Sequence, residues 1–131
     1  MKTLYLALFL MMIAPPAIAI DDPVSKVAGV IRQGKINELS AMMAESVEIS
    51  ITGTDSTCSK TQAENILTTF FKQHKPLSVK VLHKINSNPQ YHFGVLLINT
   101  NQGVYRIALT FREVNGSFKL IELRIETEKV K

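Results

Sequence analysis

Few side chains in this chain can do chemistry, and two of them share a pattern. His83 falls in phase with Val79, Val81 and Ile85 in the alternating run Leu77–Ile85, and Tyr105 falls in phase with Ile107 and Leu109 in the run Val104–Glu113. A period of two marks a half-buried strand with alternate residues on opposite faces. Both polar side chains are therefore expected on an apolar face. An imidazole there can take a proton and a phenol can donate a hydrogen bond, which is the equipment of a small lyase or isomerase. Such a base needs a third group, usually a carboxylate, to orient it. The three Asp residues lie at 21, 22 and 55, and Glu122 and Glu126 alternate with the apolar set of their own run. No carboxylate is expected beside His83, so no residue is assigned a catalytic role, and the lyase or isomerase using His83 and Tyr105 stands as the alternative.

Binding is the favoured reading. Phe70 adds a ring from a helix to the same interior, and a pocket of His83, Tyr105 and Phe70 suits a small apolar ligand with one hydrogen-bonding end. A nucleotide or sugar would need several polar partners. Cys58 is the only cysteine, so no internal disulfide is available and no His/Cys spacing resembles a zinc site. No cofactor and no metal are expected.

The elements that must position these residues follow in order. Asp22-Pro23 reads as a helix start and Gly34 as its end, with Val24, Val27, Ala28 and Ile31 at helical spacing. A second short helix is expected over Ile36–Ala44, with Met42 and Met43 on its apolar side. Val47–Thr52 alternates as a strand, Gly53–Asp55 as a turn and Thr57–Ser59 as a brief edge strand. Ser59 with Gln62 three residues on forms a capping box, and Ala63, Ile66, Leu67, Phe70 and Phe71 make the buried stripe of a third helix. Pro76 ends that helix.

Pro76–Glu126 then reads as four strands. Asn86–Pro89, Asn101–Gly103 and Asn115-Gly116 break them, the last a strong two-residue hairpin signal. Phe118 and Leu120 are out of phase with Leu123 and Ile125, which calls for a bulge near Leu120. Tyr91–Thr100 is apolar on both faces. With Leu82 and Ala108 it would leave an apolar strip among the charges of the outer face, the kind of strip that marks an interface, and a homodimer is expected. Lys80, Lys84, Arg106 and Arg112 share that outer face with Glu122 and Glu126. The layout is α+β: three helices packed on the apolar face of a curved antiparallel sheet.

The chain has 131 residues and a formal charge of +4, from 15 Lys and Arg against 11 Asp and Glu. The basic residues are scattered, so a nucleic-acid partner is not expected. Lys72, His74 and Lys75 do gather at the end of the third helix, where cations offset the helix dipole. Met1-Lys2, the apolar stretch Leu4–Ala14 and Ala17-x-Ala19 have the form of a signal peptide, and the apolar stretch is too short to span a bilayer. Residues 1–19 are expected to be removed. Residues 20–131 would then form a single domain in the periplasm or outside the cell, without a membrane span.

This order of elements resembles the nuclear transport factor 2-like fold, the cone-shaped, cystatin-like α+β superfamily. Asp22-Pro23-Val24, Ile31–Gly34, Ser59–Glu64, Phe70-Phe71, Val79–His83 and Glu113–Gly116 together resemble an uncharacterised family of small exported proteins from Bacteroidetes-type bacteria. The resemblance implies that fold and export, and no activity. Enzymes of the superfamily usually carry an Asp inside the cone, often with a His or Tyr; here no inward Asp is expected. The function read from the residues is thus an exported, non-catalytic binding module for a small apolar ligand or a protein partner.

Export has a direct check. Intact-mass measurement on protein from the native host is expected to show a chain beginning at Ile20. A cytoplasmic form that keeps Met1 would overturn it.

Overall fold

The computed structural model describes residues 22–128. The expected signal segment lies outside them. Helix α1, Pro23–Gln33, starts where the sequence requires. Asp22 is its N-cap, its carboxylate accepting from the Val24 N–H at 3.1 Å and from the Ser25 hydroxyl at 3.0 Å, and Pro23 takes the first position. At the far end Gly34 adopts φ 73°, and the Gly34 and Lys35 N–H groups donate to the carbonyls of Ile31 and Val30. This is the left-handed helix ending that glycine permits.

Helix α2 is shorter than its pattern suggests, Ile36–Ser40. The apolar pair Met42-Met43 leaves the helix, and strand β1 runs Met43–Ile51. A short apolar run does not distinguish the two states by periodicity. Pairing decides it, because Leu120 donates to the Met42 carbonyl at 2.8 Å and Met43 aligns with Leu120. Thr52 and Gly53, both at positive φ, turn the chain into strand β2, Thr54–Ser59, which is longer than the expected edge strand. Helix α3, Lys60–Gln73, carries the expected capping box. Ser59 Oγ accepts from the Gln62 N–H at 3.2 Å, and Gln62 Oε1 accepts from the Ser59 N–H at 3.0 Å.

Strands β3 (Pro76–Asn88), β4 (Tyr91–Thr100), β5 (Gly103–Val114) and β6 (Ser117–Thr127) follow as hairpins. Asn115 and Gly116 supply the positive φ values of the last turn. The six strands form one sheet in the order β2-β1-β6-β5-β4-β3. It is mostly antiparallel, but β1 lies parallel to β6, so the sheet is mixed. The bulge near Leu120 is present: Thr110 faces Glu122 and Phe111 faces Leu120, which leaves Ile121 extra. That extra residue restores the phase of Phe118 and Leu120 with Leu123 and Ile125.

The helices cover one face of the sheet. Leu96, Ile98, Ile107, Leu109, Phe111, Leu123 and Ile125 from the sheet, all at most 1% exposed, meet Val24, Val27 and Ile31 of α1 and Leu67 of α3. The inside of the cone is filled by these side chains. α1 lies tight against β4, where a Cβ added to Gly94 would stand 2.5 Å from both Val24 methyls. Cys58 is buried in the same core as a free thiol.

Lys84 bridges to Asp22 at 2.7 Å, and this link carries a pH signature. Burial works to raise the Asp22 pKa, but hydrogen bonds from Lys84, Ser25 and the Val24 N–H outweigh it, and the carboxyl is held below its ordinary value. A depressed carboxyl contributes stability that is present above its unfolded pKa and is lost as pH falls through the folded value. Asp22→Ala is expected to cost about 1 kcal/mol at neutral pH, the usual worth of an N-cap. Urea unfolding across pH should show the gap between variant and parent closing below the ordinary carboxylate range. A gap independent of pH would refute this account of Asp22.

Candidate functional site

Two of the three residues expected in the pocket do come together. Phe70, in the last turn of α3, points at the sheet, and Tyr105 points inward from β5; both are nearly buried. Their rings meet edge to face, with centroids 5.3 Å apart. Phe71 packs edge on against Phe70 at 5.2 Å. The fourth ring of the group is His74. It stacks on Phe70 at 4.2 Å and meets Tyr105 edge on at 5.2 Å. His74 Nδ1 lies 2.9 Å from the Phe70 carbonyl oxygen, which can only accept, so Nδ1 carries the proton there. The backbone N–H of His74 donates to the same carbonyl and closes the helix. The sequence placed His74 only as a cation at a helix end. Its spacing of four from Phe70 was the available signal, since residues four apart share one helix face.

His83 is not part of this group. Val81 faces Leu96 and His83 faces Val95, so Leu82 is an extra residue in β3. A one-residue slip sends every following side chain to the other face. Val79 and Val81 therefore remain inward, while His83 and Ile85 turn outward and are exposed. Tyr105 stays inside, so the sheet separates the two polar groups. The pocket expected from His83, Tyr105 and Phe70 together does not form among the described residues. The same slip turns Lys84 inward, where it finds Asp22.

What remains beside Phe70 is a shallow groove of about 440 Å³ lined by Ile51, Ile66, Phe70, Asn65, Thr69 and Gln73. Its lining carries two amides and a hydroxyl and no charge. Among the described residues, no three of His, Cys, Asp and Glu converge as a metal site would require.

The outer face of the sheet is the larger feature. Tyr91, Phe93, Val95 and Leu97 project from β4 on the side away from the helices. Ile85 lies opposite Phe93, and Ala108 lies opposite Val95. Phe93 is 41% and Ile85 55% exposed, and the Tyr91 and Phe93 rings lie roughly parallel at 6.4 Å. The expected apolar strip is therefore present, with Ile85 joining it and Leu82 half-buried at the bulge. Lys80 and Arg112 flank it without a carboxylate partner among the described residues. Arg106 is tied to Glu128 at 2.9 Å, and Arg124 lies between Glu122 and Glu126 on β6. The β3 margin of the strip is thus basic, and the β5–β6 margin carries both signs.

The ring group has a packing consequence that can be measured. Phe70→Ala removes the centre of three ring contacts and is expected to destabilise the fold by about 3 kcal/mol. Urea unfolding checks this. A loss under about 1 kcal/mol would mean that the rings rest loosely and Phe70 lines an open site instead.

Comparison with known proteins agrees with the geometry. A family protein from Bacteroides fragilis YCH46 superposes with a TM-score of 0.75 at 26% identity, over 82% of this chain and 100% of that one. One from Bacteroides uniformis ATCC 8492 gives 0.75 at 25% identity, over 79% and 95%. A nuclear transport factor 2-like protein of unknown function from Burkholderia xenovorans LB400 gives 0.62 at 9% identity, over 79% and 78%, which speaks for the fold alone. No curated protein matches the chain. Residues 24–126 match the family described as a domain of unknown function, DUF4783. Matched over most of its length, with the three-helix, six-stranded architecture that its solved relatives share, the chain belongs to the DUF4783 family.

Proposed function

We propose that this chain is an exported, non-catalytic binding module that takes a protein partner on the outer face of its sheet, and that the partner is a second copy of itself. The observation that carries this is the strip Tyr91, Phe93, Val95, Leu97 with Ile85 and Ala108. It is a row of apolar side chains on a face that none of the described helices covers. A contiguous apolar patch ringed by polar groups marks an interaction site. A second copy is favoured because the strip is itself apolar and its β5–β6 margin carries both charge signs, Arg106, Arg112 and Arg124 with Glu122 and Glu126. A twofold axis lays strip on strip and lets a basic group of one copy meet an acidic group of the other. Catalysis has no comparable support, because the sheet divides His83 from Tyr105 and, among the described residues, no carboxylate is bonded to either.

A small apolar ligand is the second reading. The uncharged groove beside Phe70 favours it, with its amides positioned to hold one polar end.

The test is association. Light scattering on residues 20–131 at micromolar concentration should return twice the chain mass, and Phe93→Lys should return the chain mass with an unchanged unfolding midpoint. A parent chain that is monomeric throughout would overturn the second copy as partner.

A further inference from the structure

Away from both faces of the sheet, the helices leave a second groove, of about 620 Å³. It lies where the end of α1, the start of α2, one side of α3 and the Lys75–Pro76 link to β3 converge. Its floor is apolar: Ile31, Ile36 and Phe71 reach it from the core. Its rim holds three cations, Arg32, Lys72 and Lys75. None of them pairs with a carboxylate among the described residues; the ion pairs there use Lys35, Lys60, Lys84, Arg106 and Arg124.

Two details orient this rim. Arg32 Nη2 donates to the Val79 carbonyl at 3.1 Å, which anchors the guanidinium at the β3 edge with its other N–H groups still to be satisfied. The one carboxylate on the wall, Glu64, accepts from the Ser40 hydroxyl at 2.6 Å and is engaged with α2. Arg32 and Lys72 sit in the last turns of their helices, where each offsets a helix dipole. That accounts for one cation per helix. It does not account for Lys75, which lies beyond α3, or for the hollow between the three, where the edges of Ile36 and Phe71 reach the surface.

We propose that this groove binds a single-chain amphiphile with an anionic head: an acyl tail along Ile36, Phe71 and Pro76, and a carboxylate or phosphate head among Arg32, Lys72 and Lys75. The volume lies in the range of small-molecule sites, which combine an apolar lining with a few charged groups that fix orientation. Arg offers a planar fork to the head, and the lysines offer mobile point charges. This site is independent of the outer sheet face, so either proposal can fail alone.

Titration of the mature chain followed by amide NMR tests it, with each probe kept below its micelle concentration. Decanoate and decyl phosphate should shift the amides of Ile31, Ile36 and Phe71 saturably; whichever is tighter names the head. Decyl maltoside, which has the tail without the charge, and acetate and inorganic phosphate, which have the charge without the tail, should each bind at least tenfold more weakly. The exposed pair Lys72→Gln with Lys75→Gln should weaken decanoate binding at least tenfold and leave the thermal midpoint in place. The proposal is overturned if the maltoside binds as well as decanoate, if a bare anion does, if the double variant binds unchanged, or if the shifts gather on Phe93 and Val95 instead.

Discussion

The extra residue at Leu82 ties the two faces of the sheet together. Upstream of it, Val79 and Val81 face the core; downstream, the phase inverts. The inversion puts Lys84 on the helix side, 2.7 Å from Asp22, where it holds the cap that starts α1. That cap fixes the start of a helix that seats Val24 against Gly94, a position where no side chain fits. It also carries Ile85 to the outside, opposite Phe93, and extends the apolar strip of β4 onto β3. One inserted residue thus connects the docking of α1 to the composition of the face on the other side of the sheet. A bulge can do this because the side-chain period of a strand is two, so any odd insertion exchanges the faces.

The same residue explains where sequence reading succeeded and failed. Local signals were legible because their physics is local. Asp22-Pro23, the Ser59 and Gln62 box, Gly34 and Asn115-Gly116 each satisfy or turn the backbone within a few residues, and all act as read. The bulge at Leu120 was also legible, since Phe118 and Leu120 broke the alternation of their own strand. Leu82 left no such trace. With a basic residue and a histidine after it, the run Val79 to Ile85 still alternates acceptably when no residue is inserted, and His83 was read as inward. The parallel pairing of β1 with β6 was invisible for another reason. It joins segments far apart in the chain, and no turn residue records it. Met43 went to the helix on periodicity and to the strand on pairing, a contest that short apolar runs cannot settle locally.

The candidate site divides along the same line. Phe70 and Tyr105 were placed correctly because a helical stripe and an uninterrupted strand each keep phase. His74 was missed because its charge at a helix end gave a sufficient reason for its presence. The geometry adds a second reason, a ring stacked on Phe70 with its Nδ1–H spent on the Phe70 carbonyl. A histidine used in this way is a packing element with a polar edge, and its donor is already committed.

A cone whose interior is filled to 1% exposure or less, over most of the inward side chains of its sheet, has little room for chemistry inside. The shared fold persists at 25% identity to the Bacteroides proteins because core volume and pattern suffice to specify it. What such a scaffold offers to other molecules must then lie on its outer surfaces. Here the polar and apolar groups are sorted on those surfaces. The strip on the far face has both charge signs at its margins, while the helix-side groove has three cations and one engaged carboxylate. A face with both signs can satisfy itself by symmetry. A rim with three cations cannot, because the same rim of a second copy, brought to it by a twofold axis, would add more of the same charge. The two surfaces therefore call for different occupants, and the sign of the groove excludes its being a second edge of the same interface.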